Sequence, residues 1–101
     1  MPPKKAVKKN YVIVRTYSAG VHFGVLKSKT GKEVTLTQTR RLWYWQGAAS
    51  LSELALAGVK SPSACKFTVT LPEITLTEAI EIIPCTPAAV ANIQVVPEWR
   101  A

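Results

Sequence analysis

The chain has 101 residues, 48% of them apolar and 19% charged, which fits one folded domain and excludes a disordered or multidomain protein. No apolar run approaches the ~18–20 residues of a membrane-spanning helix, and no apolar segment follows the basic start as a secretory signal requires, so a cytoplasmic protein without membrane partners is expected. The formal charge is +7, but Lys4, Lys5, Lys8 and Lys9 supply four of those charges; the rest of the chain carries nine basic residues against six Glu, a body charge of +3 that ordinary solubility accounts for.

Residues 1–10 read as a flexible basic tail with two prolines and no periodicity, and residues 11–101 as a single domain. Tyr11 to Tyr17 is β-branched and aromatic and ends in Ser18-Ala19-Gly20, a strand followed by a turn. Val21 to Lys27 forms a second strand, with Gly24 marking a bulge or a close approach of backbone. Lys29-Thr30-Gly31-Lys32 is a hairpin turn in which Gly31 takes a positive φ, and Glu33 to Thr37 alternates as a third strand. Thr39 to Trp45 either continues that strand past a bulge or forms a fourth; Leu42, Tyr44 and Gln46 then share one face, and Arg41, Trp43 and Trp45 the other.

Ser50-Leu51-Ser52-Glu53 is a capping box opening a short helix, which ends at Gly58. A Ser- and Pro-rich loop leads to a strand over Cys65 to Thr70. Glu73 to Ile83 reads as the longest strand, interrupted on its apolar face by Glu78; a bulge near Thr77-Glu78-Ala79 is favoured over a carboxylate aimed into a pocket or interface, because a lone buried carboxylate is costly. Thr86 caps a second helix with Pro87 at its first position, Val90 and Ile93 make its buried contacts, Gln94-Val95-Val96 forms a last strand, and Trp99 packs on the core or a partner. The fold class is therefore α+β, a mostly antiparallel sheet of about six strands with one or two short helices packed on it.

The residue inventory argues against catalysis. There is one histidine, His22, and no Asp; Cys65 and Cys85 lack metal-ligand spacing, and no P-loop, GxGxxG or nucleophile elbow occurs. No metal, no cofactor and no enzymatic activity are expected. Binding chemistry is better supplied. Arg40 and Arg41 offer forked donors for phosphate, Trp43, Tyr44 and Trp45 offer stacking faces, and Gly47 to Ser50 places backbone amides at a helix start. Tyr17 and Ser18 lie on a second small-residue loop that frames the same pocket if both loops share one end of the sheet.

The strings Tyr11-Val12-Ile13-Val14-Arg15-Thr16-Tyr17-Ser18-Ala19-Gly20, Arg40-Arg41-Leu42-Trp43-Tyr44-Trp45-Gln46-Gly47-Ala48, Leu51-Ser52-Glu53-Leu54-Ala55 and Glu78-Ala79-Ile80-Glu81-Ile82-Ile83-Pro84-Cys85-Thr86 resemble a family of small proteins of tailed bacteriophages and prophages. The likeness covers most of residues 11–99. It implies an accessory protein made in the bacterial host cytoplasm, and carries over no site residue. Three functions follow as expectations. The first is sequestration of an anionic, nucleotide-like ligand, in its sharpest form a host immune signalling nucleotide, through Arg40, Arg41, the three rings, Gly47, Ser50, Tyr17 and Ser18. The second is nucleic-acid binding by Lys4, Lys5, Lys8, Lys9 and the aromatic strip. The third is a virion-associated interaction protein. A homo-oligomer suits the first and third.

Overall fold

Residues 10–100 are described by a computed structural model, and they form six strands and two short helices, the α+β arrangement expected. Strand β1, Tyr11–Thr16, shows why the sheet must be covered on both sides. Val12, Ile13 and Val14 are all buried, and successive strand residues point to opposite faces. Ile13 joins Phe23, Leu42, Leu54, Phe67 and Ile93 in a cluster under the helices. Val12 and Val14 join Val34, Leu36 and Leu76 in a second cluster, made entirely by strands as the sheet folds over itself.

The other strands are β2 (Val21–Thr30), β3 (Glu33–Tyr44), β4 (Lys66–Phe67), β5 (Leu71–Leu76) and β6 (Ala79–Pro84), and every neighbouring pair is antiparallel. The order is β4-β3-β2-β1-β6, with β5 also pairing β3. Thr39 to Tyr44 is thus the continuation of the third strand. The continuation is bent: Phe23 pairs with Arg40 and Val25 with Thr37, so Gly24 alone opposes Gln38 and Thr39. Gln38 takes the left-handed region at φ 49° to make this bulge. A Cβ on Gly24 would lie 3.0 Å from both the Thr37 carbonyl oxygen and Thr39 Cβ, so the close approach requires glycine. At the far end Gly31, at φ 59°, turns β2 into β3, and the Ala79 N–H donates to the Lys32 carbonyl at 3.0 Å, tying the hairpin tip to the start of β6.

Helix α1 (Leu51–Ala57) begins where the capping box places it: the Glu53 N–H donates to Ser50 Oγ at 3.2 Å, and the Glu53 carboxylate accepts from the Ala49 N–H at 2.8 Å. Helix α2 (Pro87–Gln94) begins with Thr86 Oγ1 accepting from the Ala89 N–H at 3.1 Å. Asn92 locks the two together, accepting from the Val59 N–H at 2.8 Å and donating to the Val59 carbonyl at 2.9 Å.

Three expected elements differ. The long strand over Glu73 to Ile83 is two strands: Leu71–Leu76 pairs with β3, Ala79–Pro84 pairs with β1, and Thr77 and Glu78 cross between opposite sides of the curled sheet. The register does shift beside it, since Arg15 pairs with Glu81 and Thr16 with Ala79 and Ile80 is left over, and Glu78 itself is exposed: its carboxylate accepts from Ser18 Oγ at 2.7 Å and its carbonyl from the Tyr17 N–H at 3.0 Å. The strand over Cys65 to Thr70 shrinks to Lys66–Phe67, because the Phe67 and Thr68 carbonyls turn to a guanidinium. Gln94 to Val96 is not a strand. The spacing of buried Ala89, Ile93 and Val96 is helical, Gln94 ends α2, and Glu98 alone bridges Phe67 beyond it.

Gly24→Ala should lower stability by about 1–3 kcal/mol, because backbone and a β-branched side chain must move to admit one methyl group. Urea denaturation checks this, and a stability equal to that of the parent protein contradicts the close-approach account.

Candidate functional site

Arg40 and Arg41 are neighbours on β3, so their side chains leave on opposite faces of the sheet. Arg40 goes inward and is 3% exposed. Its Nε donates to the Thr68 carbonyl at 2.8 Å, Nη1 to the Ile93 carbonyl at 2.8 Å, and Nη2 to the Phe67 and Pro97 carbonyls at 3.2 and 3.5 Å. The guanidinium also lies 5.6 Å from the Phe67 ring centroid. Burial lowers its pKa from the ordinary arginine value and nearby Glu98 raises it again. Arg40, expected to neutralise phosphate, instead spends its donors on the fold.

The helix start is likewise committed. Ser50 Oγ holds the Glu53 N–H, and the Ala49 amide already has an anion, the Glu53 carboxylate. Gly47, at φ 91°, lies against the backbone of Lys60 and Ser61, and its carbonyl accepts from the Lys60 N–H at 3.2 Å. Gly47 and Ser50 are therefore packing and capping residues, a correction to the expected anion cradle. Trp45 is half-buried against the cluster under the helices, and Ser18 is engaged with Glu78.

The remaining rings are open. Trp43 is 59% exposed and Tyr44 41%, and Trp99, 43% exposed, stacks on Trp43 with centroids 5.1 Å apart. Lys66 pairs with Tyr44 across the β3–β4 ladder, which sets its Nζ 5.3, 5.9 and 5.4 Å from the centroids of Trp43, Tyr44 and Trp99. The Gln46 side-chain amide donates to the Tyr44 hydroxyl at 2.7 Å and steadies that ring. Because His22 pairs with Arg41, the Tyr17–Gly20 turn before His22 lies at this same end of the sheet, with Tyr17 the most exposed of the chain's large apolar side chains among the described residues. Of the expected ligand-binding residues, the structure leaves Arg41, Trp43, Tyr44 and Tyr17 facing outward. Lys66 and Trp99 join them, neither foreseen in this role.

Beside Arg41 the curled face opens into a cavity of about 230 Å³ lined by His22, Thr39, Arg41, Thr68, Val69, Leu71 and Ile74. His22 is buried, and its Nε2–H donates to the Ala19 carbonyl at 2.9 Å. That bond fixes the neutral tautomer, with Nδ1 unprotonated. Burial holds the imidazole below its ordinary value of 6.5; the Ala19 carbonyl opposes this and the charge of Arg41 adds to it. Thr39 is buried too, and its Oγ1 has no hydrogen-bond partner.

Lys4, Lys5, Lys8 and Lys9 lie outside the described residues. Among the described residues no group of three His, Cys, Asp or Glu side chains is placed to hold a metal, and no helix is long and apolar enough to cross a membrane. Cys65 and Cys85 are free thiols, and burial pushes Cys85 up to about 11, which leaves it almost wholly protonated at neutral pH.

A family model described as a domain of unknown function, DUF6948, matches residues 9–93, and the chain belongs to that family. The match takes in β1 to β6, Arg40, Arg41, Trp43 and Lys66, and ends before Trp99. No curated protein and no solved structure matches the chain.

The buried imidazole makes stability depend on pH. Since the folded pKa of His22 lies below 6.5, the unfolded chain binds the proton more readily, so the stability present above pH 6.5 is lost as pH falls through the folded pKa. Urea midpoints measured between about pH 7 and pH 5 should fall for the parent protein and flatten in His22→Gln. Equal slopes in the two proteins contradict this.

Proposed function

We propose that this DUF6948 protein is a non-enzymatic binding protein for an anionic, nucleotide-like ligand. The observation that carries the reading is the surface where Trp43, Tyr44 and Trp99 surround the Lys66 ammonium, with Arg41, also exposed, two residues before Trp43 on β3. Exposed rings interleaved with cations suit a flat heteroaromatic ring joined to a negative group: the ring stacks on the outer face of the tryptophan pair, and Lys66 and Arg41 neutralise the charge. A binding role rather than a reaction is supported by the state of the groups that catalysis would use. The Cys85 thiol is held protonated, and His22 is tied to the Ala19 carbonyl. In a phage protein made in a host cytoplasm, as the sequence resemblance implies, such a surface would sequester a signalling nucleotide, and its rings would also bury well between copies of a homo-oligomer.

A second reading, single-stranded nucleic acid, is favoured by Tyr17, which adds a further exposed ring at the same end of the sheet. The two readings separate on salt, since a polyanion held at several phosphates loses affinity steeply as salt rises and a mononucleotide does so weakly.

Tryptophan fluorescence should be quenched on titration with AMP, cyclic dinucleotides and oligo(dT). Trp43→Ala should weaken the best of these about tenfold or more, from the loss of base–aromatic stacking worth about 1–3 kcal/mol. Quenching by none of them up to about 1 mM would sink the proposal.

A further inference from the structure

We propose that the ligand of the ring surface is a two-base nucleotide: two nucleosides joined by a chain of phosphates, with one base on each outer face of the Trp43–Trp99 pair. The inference rests on the nucleotide reading above and names the ligand class for that same surface.

Trp43 and Trp99 stack with centroids 5.1 Å apart and planes inclined by 24°, so each ring covers one face of the other. Trp43 nevertheless stays 59% exposed and Trp99 43%, which their uncovered faces and ring edges account for. A stack of two indoles therefore presents two stacking faces that point away from each other. The two rings come from separate pieces of chain: Trp43 belongs to β3, and Trp99 is placed by its own N–H donating to the Phe67 carbonyl at 2.9 Å.

Lys66 defines what joins the two bases. Its Nζ lies 5.3 Å from the Trp43 centroid and 5.4 Å from that of Trp99. A point so nearly equidistant from two stacked rings stands beside the stack, level with the gap between them, and blocks neither outer face. A link between bases on those faces must pass round the edge of the pair, and on this side it meets an ammonium. A chain of phosphates suits that place, because its oxygens accept from the ammonium and its charge is neutralised there. The neighbouring carboxylate, Glu98, is paired with Arg100. Bases on the two faces stand on the order of 12 Å apart, the 5.1 Å of the pair with a stacking interval of about 3.4 Å on either side. Neighbouring bases of a strand are one such interval apart, so the bridge here is longer than a single relaxed phosphodiester. Joining the bases makes the second stacking event intramolecular, and a two-base ligand then outbinds a one-base ligand of equal charge.

The test is a calorimetric titration with ATP and with diadenosine tetraphosphate, which carry similar charge but a single adenine and a pair of them. Diadenosine tetraphosphate should bind about tenfold or more tighter than ATP, with one molecule per chain. Trp99→Ala removes one outer face and keeps the backbone bond to Phe67. It should bring diadenosine tetraphosphate down to the affinity of ATP, and leave ATP within a few-fold of its affinity for the parent. Trp99→Phe, which restores a flat ring, should regain most of the difference. The inference is overturned if ATP binds and diadenosine tetraphosphate binds within about threefold of it, or if Trp99→Ala keeps a difference of about tenfold; the nucleotide reading survives either result. Binding of neither compound up to about 1 mM overturns that reading and this inference together.

Discussion

One buried guanidinium organises the helix-covered half of this protein. Arg40 collects carbonyls from three separate pieces of chain: Phe67 and Thr68 at the end of β4, Ile93 in the last turn of α2, and Pro97 in the segment that follows. Two of them have a backbone donor as well, Phe67 from the Trp99 N–H at 2.9 Å and Ile93 from the Val96 N–H at 3.3 Å, whereas for the Thr68 and Pro97 carbonyls Arg40 is the donor seen among the described residues. The last carbonyls of a helix have none within the helix, and a cation at that end is also favoured by the helix dipole. A charge out of water costs several kcal/mol, and hydrogen bonds from a charged donor, about 1.5–3 kcal/mol each, offset that only when the cage is complete. The arrangement is thus all-or-nothing. Remove the cation and the Thr68 and Pro97 carbonyls lose the donor they have among the described residues, while those of Phe67 and Ile93 keep one backbone N–H each.

That constraint reaches the surface. Turning the Phe67 and Thr68 carbonyls toward Arg40 ends β4 after two residues, and drawing Pro97 inward lays the chain end along β4, where the Trp99 N–H donates to the Phe67 carbonyl at 2.9 Å. Trp99 then meets Trp43, and Lys66 stands between the rings. On the other face of β3 the strand alternation sends Arg41 outward beside His22 and Thr39, over the cavity. Two adjacent arginines, identical in chemistry, become a fastener and a free cation because a strand presents them to opposite sides.

Much of the fold was legible because its signals are local. The capping residues Ser50 and Thr86, the turn at Gly31 and the close approach at Gly24 each follow from a few neighbouring residues. The three apolar residues in a row in β1 are also a local sign that both faces need cover. What stayed hidden depends on partners far along the chain. The break at Thr77 and Glu78 makes sense only once β5 is known to pair with β3 and β6 with β1. Which of the expected ligand residues are exposed was legible only in part, for the same reason. Trp43, Tyr44 and Arg41 are exposed as a ligand surface needs, but residue type does not say which of two arginines is buried. Lys66 meets Tyr44 through a ladder whose strands are separated by a helix and a loop, and Thr39 gives no sign in sequence that its hydroxyl is left alone.

The most direct check is a comparison of urea unfolding for Arg40→Met and Arg41→Met, which remove the same group from neighbouring positions. Arg40→Met should lose about 3 kcal/mol or more, up to failure to fold cooperatively, because buried carbonyls lose a charged partner. Arg41→Met should change stability by no more than about 0.5 kcal/mol, as for an exposed surface residue. Similar losses at both positions, or a larger loss at Arg41, would contradict the division of labour on which the proposed ligand surface rests.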